Sequence, residues 1–90
     1  MESNNMGHSL IDRAIEVCGS GAELARKLNV SRVTVHQMQT GKAKLSPEMA
    51  ALCAEIVGDD PYRAAAIAMV ENCRDKEKAE RLTRAFHLPR

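Results

Sequence analysis

Between Leu24 and Pro47 the chain carries five basic residues, Arg26, Lys27, Arg32, Lys42 and Lys44, and neither Asp nor Glu. From Leu45 to Arg90 acidic and basic residues nearly balance, and the whole chain has a net charge of only +1. The positive charge is therefore concentrated in one window. Guanidinium and ammonium groups gathered this way donate charge-assisted hydrogen bonds to phosphate oxygens, so the window has the footprint of a polyanion-binding face. The same charges also suit an ordinary solvated surface, and charge alone does not separate the two.

Covalent chemistry is poorly provided for. No Gly-rich phosphate loop precedes a helix, and no nucleophile has a His and an acid for company. Asp59 and Asp60 are adjacent carboxylates, but Asp60 is better explained as a helix cap. The expectation is a protein that is not an enzyme and needs no cofactor. Cys18, Cys53 and Cys73 are 35 and 20 residues apart, with no CxxC and no paired histidines. That spacing argues against a metal site and for reduced, half-buried or buried thiols in a cytosol. No apolar run approaches the roughly 18 residues of a membrane helix, and no signal-peptide pattern is present, so a soluble cytoplasmic protein is expected.

Ninety residues make one domain, able to bury only about 60% of its unfolded surface. With one Tyr, one Phe and no Trp, its core must be aliphatic, and the composition favours an all-α fold of five to six helices. Residues 1–8 are polar, lack periodicity and read as a flexible arm. Ser9 can cap a first helix whose face is Leu10, Ile11, Ala14, Ile15 and Cys18, stopped by Gly19. Ser20-Gly21-Ala22-Glu23 reads as a capping box, with Ser20 and Glu23 each satisfying the other's backbone N–H. Leu24, Ala25 and Leu28 then line a short second helix. Asn29 suits a positive φ and a tight turn, and Val30 is expected to be buried beside it. Ser31 can cap a third helix with Val35 and Met38 inward, ended by Gly41. Ser46-Pro47-Glu48 starts a fourth, with Met49, Leu52, Cys53 and Ile56 as its stripe and Gly58 as its stop. Asp60-Pro61 starts a fifth, reaching about Cys73. Asp75 can cap a sixth through Phe86, unless the last two are one long helix.

The stretch Gly21 to Thr40 works as one unit. A helix-turn-helix needs a first helix ending in a turn that permits positive φ, a small residue where the helices touch, and apolar residues locking both onto a third. Ala25 is the small residue and Asn29 the turn. Leu24, Leu28, Val30, Val35 and Met38 are the locks. Residues 22–32, Ala-Glu-Leu-Ala-Arg-Lys-Leu-Asn-Val-Ser-Arg, resemble the helix-turn-helix of phage Cro and lambda-repressor-like proteins. Thr40-Gly41-Lys42 and Ser46-Pro47 resemble that family too, and the likeness covers about residues 10 to 58. Asn29 departs from it, since the family most often has Gly there, but Asn holds the same backbone conformation.

The resemblance implies a lambda-repressor-like domain at residues 9–58 whose third helix enters the major groove of double-stranded DNA. Its outward residues there would be Arg32, Val33 and Gln37, with Thr34 and His36 beside them. Arg32 suits guanine O6 and N7, Gln37 adenine N6 and N7, and Val33 a thymine methyl. Ser20, Ser31, Thr40, Lys42 and Lys44 would hold phosphates and set the register. Blander roles stay open. Arg32 can be a phosphate clamp only, Val33 can pack partly against the second helix, and His36 can be a bystander. Lys42 and Lys44 can be plain loop charges, and Arg26 can pair with Glu23.

Residues 59–90 add helices beyond what such a core needs. A single domain of this size makes few contacts with DNA, so a homodimer on a palindromic operator is expected. Tyr62, Ala66, Met69, Val70, Leu82 and Phe86 are the expected interface, although these helices can instead complete the monomer core. The whole reads as a transcriptional regulator, a repressor or Cro-like switch of phage or prophage type. An antitoxin-type protein, with the last helices on a protein partner, and a nucleoid or assembly protein without sequence readout are the alternatives.

Overall fold

A computed structural model describes residues 6–89, which form six helices and no strand. They are α1 (Met6–Cys18), α2 (Gly21–Leu28), α3 (Arg32–Gln39), α4 (Pro47–Val57), α5 (Pro61–Asn72) and α6 (Lys76–Ala85). The all-α expectation holds, and the chain does break between the last two helices.

Local chemistry accounts for the starts of five of the six. The hydroxyls of Ser20, Ser31 and Ser46 each accept the backbone N–H three residues on, at 3.1 Å. The Asp60 carboxylate accepts from Tyr62 and Arg63, and that of Asp75 from Glu77 and Lys78. Each cap satisfies a donor that the first helical turn leaves without a partner. The capping box at α2 forms only by half: the Glu23 carboxylate lies 3.4 Å from Arg26 instead of returning to the Ser20 N–H. The exception among the starts is α1. It begins at Met6, so residues 6–8, expected in the arm, are helical, and Ser9 lies inside the helix instead of capping it. Residues 1–5 of the expected arm lie outside the described residues.

The core is one cluster drawn from α1 to α5: Leu10, Ile11 and Ala14; Leu24, Ala25 and Leu28; Val35 and Met38; Leu45; Ala50, Cys53 and Ala54; Ala64 and Ala68. The helix α1 is its centre, touching α2, α3, α4 and α5. On α1, α2 and α3 the buried faces are those expected from periodicity. The fourth helix differs. Its stripe was expected to be Met49, Leu52, Cys53 and Ile56; Cys53 is buried and Met49 and Ile56 pack partly against the core, but Ala50 and Ala54 turn inward as well and Leu52 is exposed. Alanines are the reason. They let α4 and α5 approach closely, and Ala64 and Ala68 meet α4 from the other side. The fifth helix therefore completes the core, which extends past residue 58. Ala66, two residues from each of those alanines, is buried on the opposite side of α5. The sixth helix buries no residue fully.

The Cys53 thiol is fully buried, and burial, with Cys18 nearby as the lesser cause, raises its pKa from 9.0 to about 11. The sign follows from proton counting. Above pH 9 the unfolded chain sheds this proton while the folded chain keeps it, so stability is lost as pH rises from 9 towards 11. The slope is about 1.4 kcal/mol per pH unit. Urea titrations at pH 8 and pH 10.5 are expected to show a fall of order 2 kcal/mol in the native protein beyond that of Cys53→Ala. Equal falls in both would show that Cys53 is not responsible.

Candidate nucleic-acid interface

Helices α2 and α3 are joined by a three-residue turn. Leu28 is the last residue of α2, and Asn29 then takes φ 59° and ψ 46°, the left-handed conformation expected of it. Its N–H donates to Arg26 O at 3.2 Å, and that of Val30 to Ala25 O at 3.0 Å, so the carbonyls at the end of α2 are satisfied inside the turn. Val30 is half-buried against the core. Ser31 then restarts the helix.

The face of α3 follows from which residues the core takes. Val35 and Met38 are 2% and 3% exposed. Arg32, Val33, His36 and Gln37, spaced one and four residues apart, fall together on the opposite side, and all four are exposed. Val33 is 63% exposed, an apolar side chain left largely in solvent. The α3 C-terminal end is tied back to α1 by Gln39 Nε2, which donates to Asp12 Oδ1 at 3.4 Å.

The remaining expected residues are divided by their hydrogen bonds. Thr34 is half-buried, and its Oγ1 lies 3.0 Å from Ser31 Oγ, so its hydroxyl serves the cap and not the outward face. Ser20 and Ser31 accept N–H donors at the starts of α2 and α3. A hydroxyl that accepts in a cap can still donate its own proton outward. Thr40 spends that proton on Gln37 O at 3.3 Å. Lys42 is exposed. Lys44 donates to Glu71 O at 3.3 Å, at the C-terminal end of α5. Arg26 pairs with Glu23, whereas Lys27 and Arg32 take no part in the Arg26–Glu23 or Arg13–Asp59 ion pairs.

Two residues here were not marked by the sequence. Leu45, at the end of the basic connection, is buried, and the Asn72 amide donates to its carbonyl at 2.9 Å. An apolar residue between Lys44 and Ser46 was the available signal for Leu45. Asn72, far along the chain, had none.

Of the expected interface residues, Tyr62 is 86% exposed, Met69 40% and Phe86 39%. Val70 and Leu82 are half-buried, and Ala66 is buried within the chain. Among the described residues no group of three His, Cys, Asp or Glu side chains is placed to hold a metal ion, and no helix is long and apolar enough to cross a membrane.

A family model described as Bacterial toxin YdaS matches residues 11–59, which take in most of α1, the α2–turn–α3 unit and α4. No curated protein and no solved structure matches the chain. With more than half of its length matched, the chain belongs to the bacterial toxin YdaS family.

Proposed function

We propose that this protein is a sequence-specific DNA-binding regulator of transcription, of the small phage type, that inserts α3 into the major groove. One observation carries the reading: Arg32, Val33, His36 and Gln37 stand exposed on one side of α3 while Val35 and Met38 anchor the other. An exposed arginine, amide and methyl pair on a short capped helix suits base edges better than it suits water. The protein acts by binding alone, without cofactor or catalytic group. Footprinting on the DNA upstream of its own gene is the direct test. A protected palindrome supports the reading, and equal affinity for random and upstream DNA overturns sequence readout.

Phosphates are held by the basic loop and helix starts around α3. Lys42→Ala is expected to weaken all DNA sequences alike and to flatten the dependence of log affinity on log salt by about one unit. Titrations between low and moderate salt check this, and an unchanged slope removes Lys42 from the contact set.

The DNA-bound form is a homodimer joined through the exposed apolar residues Tyr62, Met69 and Phe86, with Val70 and Leu82 beside them. Its two α3 helices lie about 34 Å apart, one helical turn of DNA. A monomeric mass at micromolar concentration, alone and on DNA, argues against it.

The family description favours a second reading, a protein of the toxin–antitoxin kind that keeps the same DNA-binding core. Its C-terminal helices then meet a protein partner. Induced expression separates the two. Growth arrest relieved by Arg32→Ala runs through DNA, whereas arrest relieved only by changes at Tyr62 and Phe86 runs through a partner.

A further inference from the structure

We infer that Asn72, on α5 and far from α3 in sequence, is a positioning residue for the basic loop that follows α3. The inference rests on the DNA-binding reading above and adds a residue to it.

Residues 41–45 connect the Thr40 cap of α3 to the Ser46 cap of α4 and lie outside both helices. Such a segment carries Lys42 and Lys44, and phosphate contacts need those ammonium groups held at a fixed distance from α3. Three bonds hold residues 43–45 of the loop. The Ala43 N–H donates to Gln37 O at 3.0 Å, which folds the loop back on the end of α3. The Asn72 amide donates to Leu45 O at 2.9 Å in a partly buried setting. Lys44 Nζ donates to Glu71 O at 3.3 Å. The last two both come from the final residues of α5, so that helix end grips the loop on either side of the Lys44–Leu45 peptide.

Of these the Asn72 bond is the one that position and chemistry make specific. Leu45 is buried, so its carbonyl cannot readily exchange this partner for water. The Asn72 amide, reaching from the end of α5, supplies that donor. The Lys44 bond is different in kind. It is exposed, and a phosphate competes with a neutral carbonyl for an ammonium on favourable terms. Asn72 thus holds the loop whether or not DNA is bound, while Lys44 is free to change partner. Asn72 touches no DNA in this arrangement.

Two variants test the proposal: Asn72→Leu, which keeps the branched side-chain shape and removes the donor, and Asn72→Ala. Both are compared with the native chain and with Arg32→Ala on the same upstream DNA. The expected result is a loss of about 3- to 10-fold in affinity, the range of one hydrogen bond's net contribution. A salt dependence flatter by about one unit should accompany it as Lys42 loses its register, with base preference retained. Hydrogen exchange in the free protein gives a second readout. The Ala43 amide should exchange faster in both variants while the buried amides of α1 and α2 do not. Native affinity and salt slope in Asn72→Leu, or unchanged protection at Ala43, overturn the positioning role. Failure of the native chain to prefer its upstream DNA is a different outcome, since it strikes the DNA-binding reading and leaves the Ala43 exchange result to decide on Asn72 alone.

Discussion

Arg32→Ala is expected to weaken binding to the protein's own operator by about 1–3 kcal/mol, roughly 5- to 150-fold, and to relax preference at one base pair. The size of the effect comes from geometry. Arg32 is the first residue of α3, directly after the Ser31 cap, and is exposed. A guanidinium there presents two parallel donors to guanine O6 and N7, a pairing that no other base offers in the major groove. Arg32→Lys keeps the charge but loses the fork, so it should recover general affinity more than discrimination. Folding should be unaffected, because neither ion pair described above includes Arg32. Affinity measured against the operator and against single-base variants decides the matter. Uniform weakening at every sequence makes Arg32 a phosphate clamp, and no weakening removes it from the interface. Gln37→Ala should relax a different base pair, and the two losses should add if the side chains read separate positions.

Leu24→Ala should have the largest effect on folding, a loss of about 2–5 kcal/mol. Leu24 is wholly buried in the cluster that locks α2 and α3 onto α1. Truncation there removes apolar burial and leaves a cavity that surrounding helices fill only in part. A domain of this length has a total stability of order 5–13 kcal/mol, so the variant sits near the margin. Its thermal midpoint should fall by more than about 10 °C, which calorimetry or circular dichroism reads directly. The instructive comparison is Val33→Ala, also a truncated apolar residue of the same unit. Val33 is exposed, so its loss should change stability by no more than about half a kcal/mol while weakening DNA binding. A stability cost at Val33 equal to that at Leu24 would mean that α3 is not presented as described.

The division between these two residues was legible before the fold was known. Val35 and Met38 are three apart on a short capped helix, and a helix that buries both turns Gln37 to solvent, with Val33 expected outward or packed in part on α2. The caps at Ser20, Ser31, Ser46, Asp60 and Asp75 and the left-handed Asn29 were legible for the same reason. Each depends on groups within four residues of one another, and that chemistry is written in the order of the residues.

What the chain order could not convey lies between distant elements. Met49, Leu52, Cys53 and Ile56 were expected to line α4, and α5 either to meet a partner or to complete the core. Close approach of two alanine faces decided the matter, turning Leu52 outward and drawing Ala64 and Ala68 into the core. Lys44 and Thr34 looked like available polar groups, yet one finds the end of α5 and the other the Ser31 cap. The Asn72 bond to Leu45 spans 27 positions of sequence. Residue type alone thus determined the caps of α2 to α6 and the outward face of α3. Packing decided which small faces meet, which basic side chains stay free, and what holds the loop beside them, because those outcomes depend on how closely whole helices can approach.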